Sequence, residues 1–121
     1  MTIAADIAVA LVALLHAYFL VLEMFLWTTP RGLKTFGMTQ ERADMTASLA
    51  KNQGLYNGFL SAGLVWGLSK GLPAGFEIDL FFLACVLVAG VFGAFTASRK
   101  ILYVQAMPAA IALVVLFIAA H

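Results

Sequence analysis

Apolar residues fall into four long runs along the chain, separated by polar stretches. The first, Ile7 to Trp27, is broken only by His16 and Glu23. The second, Asn52 to Leu68, is polar at its start. The third covers Ile78 to Ala97 and the fourth Ile101 to Ala120. About 20 mostly apolar residues in a helix cross the hydrocarbon of a bilayer. The pattern therefore predicts four transmembrane helices, at about 7–27, 52–68, 78–97 and 101–120, in one transmembrane domain over 1–121. The fold class is all-α: a polytopic integral membrane four-helix bundle. Only the connection Thr28 to Lys51 is long. Pro30 and Gly32 at its start are residues that interrupt a helix. Thr39, followed by Gln40 and Glu41, has the chemistry of an N-cap with acid in the first turn. Nothing from there to Lys51 breaks a helix, so helix 2 is expected to begin near Thr39. Its first turns, about 39–51, form a charged stalk that extends it into the cytoplasm.

Composition agrees with this pattern. The chain has 121 residues, 64% hydrophobic and 11% charged, whereas soluble domains are about half apolar and a quarter charged. A net charge of +1 gives no reason to expect a nucleic-acid partner. The single cysteine, Cys85, lies in an apolar run and reads as a small buried hydrophobe. Met1 to Ala10 carries only Asp6 as a charge, and no small-residue cleavage site follows Trp27. The first run therefore reads as a retained transmembrane helix rather than a signal peptide.

Arg31, Lys34, Arg42 and Lys51 lie between the first two runs, and Arg99 and Lys100 between the last two. Cytoplasmic loops carry the excess of Lys and Arg. This places the chain in the cell inner (cytoplasmic) membrane as a multi-pass protein with both termini outside.

Direction and helical rise then give depth. Glu23 precedes Trp27 by four residues, roughly 6 Å below the inner interface. Asn57 follows Lys51 by six, roughly 9 Å deep, and Gln105 follows Lys100 by five, roughly 8 Å deep. Three helices thus put a carboxylate and two amides in one layer, with Asn52, Gln53 and Tyr56 just above it. A charge at the bilayer centre costs about 2.5–3.5 kcal/mol on insertion scales, so such groups turn inward. The expectation is a polar pocket in the inner half of the bundle. His16 is deeper, at about the level of Ser61, and is the remaining ligand-binding candidate. It shares a helix face with Glu23 but lies about 10 Å from it along the axis. Ligands of one metal lie about 2 Å from the ion, so no metal site is expected. The plainer alternatives are a buried His16 bonded to a neighbouring helix, Glu23 paired with Arg31 or Lys100, and amides that only link helices. Gly54 and Gly58, and Gly63, Gly67 and Gly71, recur every four residues, a spacing that lets helices approach closely. Pro108 should kink the last span and free a carbonyl near Val104.

Four strings, E-M-F-L-W-T-T-P-R-G at Glu23–Gly32, N-Q-G-L-Y-N-G-F at Asn52–Phe59, G-V-F-G-A-F-T at Gly90–Thr96 and Q-A-M-P-A at Gln105–Ala109, resemble a family of small bacterial membrane proteins. It is number 1304 among the domains of unknown function. The resemblance covers nearly the whole chain. It implies a four-span membrane protein and no activity.

Three functions fit the residues. In the first, the pocket binds or transforms a small, partly lipophilic molecule, with Glu23 as general acid or base and the amides and Tyr56 as orienting groups. No cofactor motif is visible. In the second, the chain is a proton-coupled small-molecule transporter acting as a homodimer. In the third, it is a structural partner subunit of a membrane complex, and the polar layer only locks helices together.

Overall fold

The structure, a computed structural model, describes residues 2–121, and among these there is no strand. Helix α1 spans Thr2–Met24, α2 Pro30–Phe36, α3 Gln40–Lys70, α4 Phe76–Thr96 and α5 Met107–Ala120. A π-helical segment, Leu102–Ala106, runs directly into α5. Three helical stretches are long and apolar enough to cross a membrane: Thr2–Met24, Phe76–Thr96 and Leu102–Ala120. The fold is thus an all-α, polytopic bundle. The second predicted span lies inside the 31-residue α3, which is not one of these three because polar residues recur along it.

The chain divides into two compact units. One runs to Ala13 and resumes at Ala62–His121; the other is Leu14–Ser61. In the first unit, α4 packs along the π segment and α5. Its core includes Val9, Leu64, Leu83, Val86, Ala109, Ala112 and Leu116, all fully or almost fully buried. Gly90 makes the close approach possible: a Cβ there would come within 2.6 Å of the Ala106 backbone nitrogen. The far side of α4 exposes Phe81, Val88, Phe92 and Phe95, the surface that lipid would cover.

Pro108 lies directly behind the π segment. It is the second residue of α5, and because the π segment runs into α5 without a break, its missing N–H falls inside a continuous helix. Just upstream the helix widens, and the Met107 N–H bonds the Leu102 carbonyl. The proline ring crowds the carbonyl four residues back. A π turn, with its i to i+5 bonds, accommodates it.

In the second unit, α1 ends at Met24, and the Phe25 and Leu26 N–H groups both bond the Val21 carbonyl, at 3.0 and 3.2 Å. The Thr28–Gly32 stretch, read from sequence as helix-interrupting, also starts a helix. The Thr29 hydroxyl accepts from the Gly32 N–H at 3.4 Å and donates to the Leu26 carbonyl at 2.6 Å. Pro30 follows in the first turn of α2, where a fixed φ is an advantage. Gly37 ends α2 in the left-handed region, at φ 63°. Helix α3 begins at Gln40, and the Thr39 hydroxyl accepts from the Arg42 N–H at 3.2 Å, the capping role its position indicates. Thr29→Ala removes one cap and should cost about 1 kcal/mol. Thermal unfolding in detergent measures this as a modest loss, and no loss would mean that the cap bond is not formed.

Candidate functional site

The chemistry of the second unit gathers where α1 ends. Glu23 is 4% exposed and Asn57 8%. The Asn57 amide Nδ2 donates to the Glu23 carboxylate Oε1. Glycine spacing on α3 brings the two helices into contact at this level. A Cβ on Gly54 would meet Met24 Cγ at 2.6 Å and Glu23 Cβ at 3.1 Å, and one on Gly58 would meet Leu20 Cδ1 at 2.6 Å. Trp27, just past α1, donates from Nε1 to the Thr46 hydroxyl at 3.1 Å and packs its ring on Phe36 at 4.7 Å. α2 is thereby tied to both neighbours.

Beside Glu23 lies a half-open recess of about 250 Å³. Glu23, Met24, Phe25, Trp27 and Thr28 line it from the end of α1, and Ala47 and Lys51 from α3. Its lining therefore includes one acidic residue, one basic residue and one threonine among apolar ones. Arg31, the other nearby cation, is engaged elsewhere. Its Nε and Nη2 donate to the Tyr18 hydroxyl at 3.3 and 3.1 Å, and its guanidinium lies 5.9 Å from the Tyr18 ring centre.

The sequence-derived candidates separate in space. Glu23 and Asn57 come together as expected. His16 is fully buried two turns earlier in α1, with its ring edge-on to Phe19 at 5.2 Å. Asn52, Gln53 and Tyr56 are all exposed; Tyr56 makes an edge contact with Phe59 at 5.7 Å. Asn52 and Tyr56 are on the open side of α3, and Gln53, one turn before Asn57, is exposed and does not line the recess. Gln105 belongs to the other unit, half-buried within the π segment.

Two features of the chemistry were not legible beforehand. Lys51 and Thr28 line the recess, although in sequence Thr28 reads only as the start of the connection and Lys51 as the end of the charged stalk. Asp79, near the start of the third apolar run, is 2% exposed. Its Oδ1 is enclosed without a hydrogen-bond partner, and it packs against Gly67 so closely that a Cβ there would lie 1.8 Å from it. The available signal was a carboxylate in the first turn of an apolar run, where the helix dipole favours negative charge.

The strings that carry the family resemblance also pair in space. Glu23–Gly32 supplies the carboxylate, Trp27, the Thr29 cap and the start of α2, and Asn52–Phe59 supplies Gly54, Asn57 and Gly58 opposite it. Gly90, which opens the third string, seats on Ala106 in the fourth. A family model described as "Protein of unknown function (DUF1304)" matches residues 10–117. The chain belongs to this family. An "Uncharacterized protein YpaA" of Lactococcus lactis subsp. lactis (strain IL1403) is 32% identical over 116 residues, which cover 94% of this chain and 97% of that protein. No solved structure matches.

Proposed function

We propose that this DUF1304 protein is a four-span protein of the inner membrane that holds a small, partly lipophilic molecule in the recess beside Glu23. The single observation that carries this reading is a buried carboxylate, bonded by Asn57 and bordering a recess that Lys51 also lines. An ionisable group at membrane depth is costly and points to a site by default. In this reading α3 supplies the remaining crossing. Its 31 residues give a length of about 46 Å against about 30 Å of hydrocarbon. The excess corresponds to the charged turns that begin at Gln40. The basic residues between α1 and α3, and between α4 and α5, then lie on the cytoplasmic side, with both termini outside.

Glu23 acts as acid or base on the bound molecule. Asn57 holds the carboxylate in one orientation, so that its geometry is set before the ligand arrives. Trp27 and Phe25 supply apolar contact area.

Native mass spectrometry on gently solubilised protein tests this, with wild type beside Glu23→Gln. Wild type should carry a small molecule that the variant has lost. Identical, ligand-free spectra from two folded proteins would leave Glu23 as a helix-packing residue and favour a structural role.

A further inference from the structure

We infer that the recess takes a zwitterionic head group, with an ammonium against the Glu23 carboxylate, a phosphate against the Lys51 ammonium, and an attached chain that leaves past Phe25. This rests on the reading above that the recess is a ligand site, and adds the class of ligand.

The lining residues include one acid, Glu23, and one base, Lys51. A purely anionic head would meet the Glu23 carboxylate, and a purely cationic one would meet Lys51. A zwitterion satisfies both, and like-charge contact is what discriminates against the others. The two groups do not cancel each other, because Glu23 is held by Asn57 from α3 while Lys51 is exposed. Arg31 is not among the residues that line the recess; its Nε and Nη2 donate to the Tyr18 hydroxyl. Lysine binds phosphate as a point charge, and the Thr28 hydroxyl adds a donor to the same lining.

Size and surroundings favour a head group over a whole amphiphile. Pockets for drug-sized ligands run to roughly 300–1,000 Å³, and this recess is about 250 Å³. Phe25 lines it and is 69% exposed, so an apolar chain has a path out along an apolar surface. The recess sits where α1 ends, among the basic residues of the longest connection. Phosphate esters of the inner leaflet lie at that level.

The test uses purified full-length protein in a neutral detergent. Short-chain phosphatidylethanolamine, phosphatidylglycerol and diacylglycerol are added in equal amounts, and retained molecules are read by native mass spectrometry. Wild type should retain the ethanolamine lipid at least tenfold over the other two. Glu23→Gln should bring it down to the level of the glycerol lipid, since only the ammonium contact is lost. Lys51→Gln, at an exposed position that leaves the fold intact, should bring it down towards diacylglycerol. Competition by free phosphoethanolamine would identify a soluble source of the head group, and its failure to compete would identify a lipid. Equal retention of all three lipids by wild type, or a preference that both variants keep, would overturn the inference. If that happens while Glu23→Gln still strips a co-purified compound, the site stands and its ligand is of another class. If wild type retains neither an added lipid nor a co-purified compound, both fall.

Discussion

Gly32→Ala is expected to cost about 3 kcal/mol or more, at the upper end of overpacking effects, and to empty the Glu23 recess. A Cβ at this position would lie 2.1 Å from the Leu26 carbonyl oxygen, 2.6 Å from that of Trp27 and 2.8 Å from the Trp27 carbonyl carbon. These are backbone atoms, and no rotamer change moves them away. Relief requires α2 to lift off the end of α1. That movement breaks the Thr29 bonds to Leu26 and Gly32 and disturbs the Trp27 stack on Phe36. Trp27 and Thr28 are walls of the recess, so stability and ligand retention should fall together. Thermal unfolding in detergent, followed by native mass spectrometry of the surviving fraction, reads both. A variant that melts with wild type would show that α2 is not seated on those carbonyls.

Asn57→Leu should cost about 2–3 kcal/mol, the scale of a hydrogen bond to a charged group whose partner is left buried. The loss is one-sided: the Glu23 carboxylate stays 4% exposed with its amide donor removed. Replacing both residues tests the cause. Glu23→Leu with Asn57→Leu removes the charge as well as the donor, and apolar replacement of a whole buried polar pair is often neutral or stabilising. The double variant should therefore be more stable than Asn57→Leu alone. Equilibrium unfolding of the two singles and the double gives the coupling, expected at about 0.5–3 kcal/mol for residues in contact. Strictly additive costs would rule out the Glu23–Asn57 bond as a source of stability.

Glu23 and Asn57 could be matched from sequence because depth alone constrains them. Both lie a few residues inside an interface marked by Trp27 and Lys51, and a carboxylate at that depth must find a donor. Tyr56 and Asn52 share nearly the same depth and were grouped with them. Depth says nothing about azimuth, however, and each residue turns an α-helix by about 100°. Tyr56 therefore points well away from its neighbour Asn57, and Asn52 lies on nearly the opposite side of α3 from the buried Ala50, Gly54 and Asn57. Helix content and the Thr39 cap were legible because apolar run length and cap chemistry are local. Pro30 was read as a break because proline is costly inside a helix, whereas its position after Thr29 makes it a first-turn residue. The burial of Asp79 depends on Gly67, twelve residues earlier and on another helix, and no local pattern reports that.

The π segment changes what the periodicity of the last helix means. A turn closed by i to i+5 bonds holds one residue more than an α-turn. The faces before Leu102 and after Ala106 are therefore offset by about 100° from where a continuous α-helix would put them. One straight wheel drawn over Leu102–Ala120 would assign Gln105 and its upstream neighbours to the wrong side. Ala106, the residue on which Gly90 seats, lies at the end of that extra turn. The spare residue thus serves as a phase adjustment, letting one continuous helix present two differently aimed faces to α4 without a break in the backbone.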